Sequence, residues 1–583
     1  MTNDGIDRRS FVKTAAIAAG AMAALDVRKA ASQSASGQPT QDPSSTVYFN
    51  GIILTLEGVA PQYVEAVAVK GGRIAFVGDR AGALAAVPGA VAVDLEGRTM
   101  LPGFIDSWGH FTLFAQQTLG VNLAYFSGQP PRNKADVVAR LTAAVPLNGW
   151  IIGYGYYAAL LADGALTLAD LDAAFPTTPV MISTLSTLTG QVNSAGIAKL
   201  GLTPDTKPAQ PGQIVKDPAS GKLTGELLFT PFLEAHAAAV GSLSQAQVLT
   251  SFQAAEARLA AQGYTTVQSY QLQPAEVTNL RAAFDQGLLA LDVIGMPSVS
   301  DAASGKIVAE ADWTWGAYSH GDHGLKIPGY QVATDAAPQL RLAAFTQPYL
   351  DTTGFPDGWK GMLLSPEMVE HWIGYAYAHD IQLFAYSNGD AGIDLSLAAI
   401  EMAISATGRA DDRRTTIAHS YFVRPDQLQA YRRLKLGISM MPPHMMLYGD
   451  DMVKLVGPER AAMESPMASA LAAGLRTTLH CDCPSASPNV MEAIWTAVTR
   501  QTLSGRVLGP QERVSPYDAL LGVTRNAAFT YREEDIKGTI TVGKIADLVI
   551  LDGNPLAIPP GKIRDIKVVE TIKRGKTIYS VRA

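Results

Sequence analysis

The chain has 583 residues, enough for two or three domains around a large core. Hydrophobic residues make up 47% and charged residues 17%, as in an ordinary globular enzyme, and the net charge is −7. No basic patch stands out, which argues against a nucleic-acid partner, and no apolar run past the N-terminal segment approaches the roughly 18 residues that span a bilayer, which argues against integral membrane contact. The partner expected is a small-molecule substrate, with a homo-oligomer left open.

Residues 1–36 read as a twin-arginine export signal. Arg8-Arg9-Ser10-Phe11-Val12-Lys13 precedes a weakly apolar, Ala-rich stretch over 14–25, and the address implied is the periplasm or the cell exterior. Residues 46–98 alternate as short strands with turns, and 537–583 do the same at the other end. Between them, over 99–530, strands and helical stretches alternate, which predicts an α/β fold of the (β/α)₈ TIM-barrel type. Eight strands are expected, at 99–106, 263–270, 291–297, 327–334, 380–387, 414–420, 436–441 and 475–482. Polar or titratable residues cluster at their C-terminal ends, where such barrels carry their active sites. Residues 120–250 are too long for a simple βα unit and read as an inserted cap. Cys481 and Cys483 flank one residue, a spacing that strains a disulfide, so both are read as core thiols.

The run Leu101-Pro-Gly-Phe-Ile-Asp106, the segment Asn388-Gly-Asp-Ala391, the strand end Ile417-Ala-His419, Asp482, and Gly543-Lys-Ile-Ala-Asp-Leu-Val549 together resemble the amidohydrolase superfamily. The branch resembled is that of the N-substituted formamide deformylases, amidohydrolase family 3. The resemblance implies that the two chain ends pair into one small β-sandwich beside the barrel. It also implies a metal centre with ligands from five strand ends. In that family strand one gives His-x-His, strand four a carboxylated Lys, strands five and six one His each, and strand eight an Asp.

This chain departs from the pattern at three of those positions. Trp108 stands for the first histidine, Gln331 for the bridging lysine, and Tyr386 for the strand-five histidine; His110, His419 and Asp482 remain. An indole cannot coordinate a metal and a neutral amide cannot be carbamylated, so a binuclear centre is not expected. What remains is at most one divalent metal, zinc by its donors, on His110, His419 and Asp482. The alternative is no cofactor at all. His444, after strand seven, is expected to face the pocket, and His480 to sit one layer beneath Asp482, since residues i and i+2 share a face.

The function expected is hydrolysis of a non-peptide carbon–nitrogen bond, an amide or formamide, in a small apolar or aromatic substrate. Asp482, His419, Tyr386 and His444 are the catalytic candidates. Trp108, Gln331, Phe111 and Tyr156 are the substrate-binding candidates. One alternative is a metal-independent isomerase, lyase or hydratase using Asp482, His419 and Tyr386 as acid–base groups. Another is a non-catalytic binding protein with an inherited pocket.

Overall fold

The structure is a computed structural model that describes residues 42–208, 212–297, 299 and 315–581. The Arg8-Arg9 segment and the rest of the expected export signal lie outside the described residues. At the centre is a (β/α)₈ barrel. Its strands form two arcs, one of four strands ending at Phe104–Ile105 and one of five strands ending at Thr477–Leu479. The fourth barrel strand is shared between the arcs. Leu325–Lys326 pairs with Asp292–Pro297, Pro328 interrupts the ladder, and Gly329–Ala333 pairs with Gln382–Ser387.

The seam between strands eight and one is closed by other contacts. Ser107 Oγ donates to Leu479 O at 3.0 Å, the Ile105 amide to Val523 O at 2.9 Å, and Asn526 Nδ2 to Thr477 O at 3.0 Å. The barrel interior is packed with Ile105, Trp108, Ile294, Met296, Phe384 and Tyr531, so the barrel is a core and not a pore.

The run expected as one strand over 99–106 serves two sheets. Thr99–Pro102 lies in an eight-stranded sheet, parallel to Ile52 and Ile53 and antiparallel to Leu548–Leu551. Phe104–Ile105 then enters the barrel beside Tyr264–Leu272. Gly103 makes the switch, and a Cβ there would lie 2.4 Å from the Thr265 methyl. The eight-stranded sheet unites both chain ends, with five strands from the N-terminal side and three from the C-terminal side.

A buried ionic cluster ties this sheet to the barrel. Lys573 Nζ, from the sheet, contacts Asp292 of barrel strand three at 2.6 Å and Asp547 at 2.7 Å, while Lys537 Nζ contacts Asp292 at 2.6 Å. Burial alone would raise the Asp292 carboxyl; the two lysines outweigh it and hold it ionised. Lys573→Met should therefore lower unfolding free energy by about 3 kcal/mol, because it leaves the buried Asp547 without its cation and Asp292 with Lys537 alone. Denaturant unfolding checks this, and a loss below about 1 kcal/mol would show the cluster to be dispensable.

The inserted segment forms its own six-stranded sheet, Val121–Asn122 through Leu223–Phe229. Among the described residues no helix is long and apolar enough to cross a membrane.

Candidate functional site

Strands six and eight end in residues of left-handed backbone. His419 has φ +66°, Ser420 +45° and Asp482 +52°. Such conformations cost a non-glycine residue of the order of 1–3 kcal/mol and gather at functional sites. Tyr386 comes from strand five, Gln382–Ser387, and His444 from the first turn of helix Pro442–Val456.

Asp482, His419, Tyr386 and His444 line one small cavity of about 40 Å³, together with Gln339 and Tyr421 among others. A cavity needs some 10–15 Å³ on this measure to hold a water, so there is room for roughly three. Beside it lies a cleft of about 550 Å³ between cap and barrel, which shares Ser186, Gln339 and Tyr448 with the inner cavity.

Asp482 Oδ1 lies 3.2 Å from His110 Nε2, in a contact that is not well aligned for a hydrogen bond. Burial would raise this carboxyl, but His110 first and His419 after it outweigh burial and hold it below its ordinary value. Asp482 is therefore an ionised acceptor with a free lone pair. Burial pushes His419 well below its ordinary value despite Asp482, so its imidazole is neutral. Its Nε2 has no partner, and its ring meets the edge of Tyr386 at 4.5 Å. Burial raises the Tyr386 phenol, which stays protonated and is a donor.

His444 is gripped from behind. Its Nδ1 lies 2.6 Å from Glu464 Oε1, its Nε2 lies 2.9 Å from Gln339 Oε1, and its ring stacks on Tyr421 at 4.3 Å. Both ring nitrogens face oxygens, so with a proton shared between Nδ1 and Glu464, Nε2 carries a second hydrogen toward Gln339 that a substrate carbonyl could take over.

Residues 91–579 match the amidohydrolase family. The chain belongs to this amidohydrolase family. A curated relative, N-substituted formamide deformylase of Arthrobacter pascens, is 26% identical over 529 residues, covering 88% of this chain and 95% of that one. Two solved structures share the fold. An uncharacterized metal-dependent hydrolase from Pyrococcus horikoshii OT3 has a TM-score of 0.70 at 21% identity, covering 89% of this chain and 99% of that one. A second, from Pyrococcus furiosus, has a TM-score of 0.67 at 23% identity, covering 88% and 100%.

The donors of this amidohydrolase do not fit the metal centre that its fold implies. Among the described residues no three His, Cys, Asp or Glu side chains stand together to hold an ion. His110 and Asp482 touch, but His419 does not complete a set of three with them, and catalytic zinc takes three protein ligands. Trp108 gives the physical reason. It is fully buried, with its ring 5.5 Å from His419, 6.1 Å from Tyr386 and 4.5 Å from Tyr270. The indole packs among the side chains that would have to converge on an ion.

Three expected substrate contacts are not on the cavity wall. Trp108 forms the packed floor beneath it. Gln331 is buried in strand four and bonded to Tyr270. Phe111 opens helix Phe111–Gln117 and packs on Phe252 at 5.6 Å in the barrel's outer core. The turn after His110 points the next side chain away from the site. Tyr156 does line the outer cleft, with its hydroxyl accepting from the Leu166 amide at 2.8 Å. Cys481 and Cys483 are buried free thiols, and the Tyr264 hydroxyl donates to Cys481 Sγ at 3.5 Å. Glu464, Gln339 and Tyr421 escaped sequence reasoning. They stand in no motif, and their roles come from contacts up to 105 residues apart along the chain.

Proposed function

We propose that this amidohydrolase hydrolyses the carbon–nitrogen bond of an amide with a very small acyl group and a large, partly aromatic amine portion, the N-substituted formamides being the best-fitting class. The observation that carries the reading is the two-chamber site. The reactive groups surround a cavity of about 40 Å³, sized for a formyl group and a water, and the adjoining cleft of about 550 Å³ presents Tyr156, Tyr157 and Tyr448 to the rest of the substrate. A formamide deformylase among the relatives supports the same class.

The chemistry follows from the protonation states. One water donates its two hydrogens to the Asp482 carboxylate and to His419 Nε2, both acceptors lining the cavity. Its lone pair then faces the carbonyl carbon. As the C–O bond forms, Asp482 takes the water's proton. Tyr386 and His444 donate hydrogen bonds to the carbonyl oxygen as it gains charge. The C–N bond breaks as Asp482 passes the proton to the departing nitrogen, giving a small carboxylic acid and a free amine.

The test is amine release from a series that holds the N-benzyl group constant and enlarges the acyl group from formyl to acetyl to benzoyl. Turnover should fall at each step, by at least about 100-fold over the series, since a group too large for the small cavity forces costly rearrangement. No amine release from any member, or a preference for the benzoyl compound, would rule the reading out.

A further inference from the structure

Beneath His419 runs a dry chain of hydrogen bonds that ends on the protein backbone. His419 Nδ1 lies 3.2 Å from His480 Nε2, His480 Nδ1 lies 2.8 Å from Ser439 Oγ, and Ser439 Oγ lies 3.2 Å from Ser107 Oγ. Ser107 Oγ in turn donates to Leu479 O at 3.0 Å. All four side chains are at most 2% exposed, so water does not offer substitute partners.

The hydrogens in this chain can be counted. A backbone carbonyl only accepts, so the single hydroxyl hydrogen of Ser107 goes to Leu479 O. Ser107 must then accept from Ser439, which uses the only hydrogen of Ser439. Ser439 must accept from His480, so His480 carries its hydrogen on Nδ1. Burial holds both imidazoles neutral, which leaves His480 Nε2 as a lone pair. The hydrogen between the two rings therefore sits on His419 Nδ1. With both rings neutral, any other assignment leaves one of these four contacts without a hydrogen, in a place where an unmade bond costs most. A second hydrogen on His480 would need a charged ring with its centroid 4.9 Å from that of another imidazole and away from water.

We infer that Ser107, Ser439 and His480 are positioning residues that lock His419 in the Nδ1–H tautomer, so that His419 Nε2 meets the cavity only as an acceptor. The lock matters because Nε2 has no protein partner of its own to fix it. In the other tautomer Nε2 would point a hydrogen into the cavity beside the donors Tyr386 and His444, and the attacking water would lose one of its two acceptors. The chain of bonds crosses the seam where the barrel closes, since Ser107 follows strand one, Ser439 lies in strand seven and His480 directly follows strand eight. Closing the barrel and setting the tautomer are thus the same contact.

This inference rests on the proposed hydrolysis for its effect on rate, but the tautomer itself is measured without substrate. The full chain, labelled with ¹⁵N-histidine, is compared with His419→Asn to identify the ring. The expected signature is a pyrrole-type Nδ1 and a pyridine-type Nε2 for His419. Ser439→Ala should mix the two tautomers and lower kcat roughly tenfold with KM within about twofold, as for a mispositioned acid–base group. Ser439→Thr, which keeps the hydroxyl, should restore both. If Ser439→Ala does not fold, His480→Gln and His480→Leu replace it. The glutamine oxygen still accepts from His419 Nδ1 and should preserve the tautomer, and leucine should not. A pyrrole-type Nε2 in the native protein, or an unchanged tautomer in Ser439→Ala, overturns the lock. A shifted tautomer with unchanged kcat overturns the positioning role, while an inactive native protein with the expected tautomer tells against the proposed hydrolysis instead.

Discussion

Asp482→Asn should abolish most turnover, lowering kcat by about 10³-fold, while the melting temperature stays within a few degrees of the parent. The two halves of this expectation have separate causes. Asp482 sits in left-handed backbone at φ +52°, a conformation asparagine tolerates, and the two side chains have the same shape. The substitution gives up the 3.2 Å contact with His110, but it also removes a buried carboxylate whose Oδ1 receives no aligned hydrogen bond. Those terms oppose each other, so the fold is little disturbed. Catalysis has no such compensation. An amide oxygen still accepts a hydrogen bond from water, so the water can be oriented, but it does not take a proton at neutral pH. Turnover and a thermal melt on the same preparation decide the matter. Residual kcat within tenfold of the parent would remove Asp482 from its role as base, and a collapsed melt would make it a structural residue first.

The barrel was legible because its signal is repeated. A strand followed by a helix, eight times over, survives local errors, and polar residues at strand ends mark one face of the sheet. Asp482, His419 and Tyr386 were legible for the same reason, since each terminates a run of buried apolar residues. Where reading failed, the cause was geometric. The stretch from Thr99 to Asp106 is continuous in hydrophobicity, yet Gly103 passes it from one sheet to another, a decision made by how closely Thr265 approaches. Phe111 was expected to meet an apolar or aromatic substrate, but a helix begins there and turns it into the core. Ser107, Ser439 and Glu464 carry no signal of their own. A serine inside a barrel strand looks like any small residue until its partner, 332 positions away, is known. Trp108 was read as standing in a ligand's place, but its consequence depends on packing. Only the ring contacts with Tyr270, Tyr386 and His419 show that it packs among these side chains and does not merely leave a gap.

The combined substitution Trp108→His, Gln331→Lys and Tyr386→His should convert this chain into a metal binder and reduce its native turnover. The three changes restore two imidazoles and a lysine able to form a carbamate, giving His110, His419 and Asp482 the partners that a family centre requires. Without metal the variant should be weakened, because replacing a fully buried tryptophan leaves a void worth up to about 3–5 kcal/mol. Added zinc should then raise the melting temperature in proportion to its free concentration, since an ion that binds only the folded state stabilises it by mass action. Elemental analysis should show a rise of about one ion or more per chain over the parent, at sites built from three or four protein ligands. Turnover of the formyl substrate should fall at least about tenfold, because Tyr386 no longer donates to the carbonyl oxygen and an ion now draws on the lone pairs of Asp482 and His419 that orient the water. Trp108→His alone should weaken the fold without raising metal content, since Gln331 and Tyr386 still withhold their ligands. The decisive contrary result is turnover that climbs together with metal content. The three natural residues would then be losses from a metal-dependent hydrolase, and the route through Asp482 and His419 without an ion would have to be abandoned.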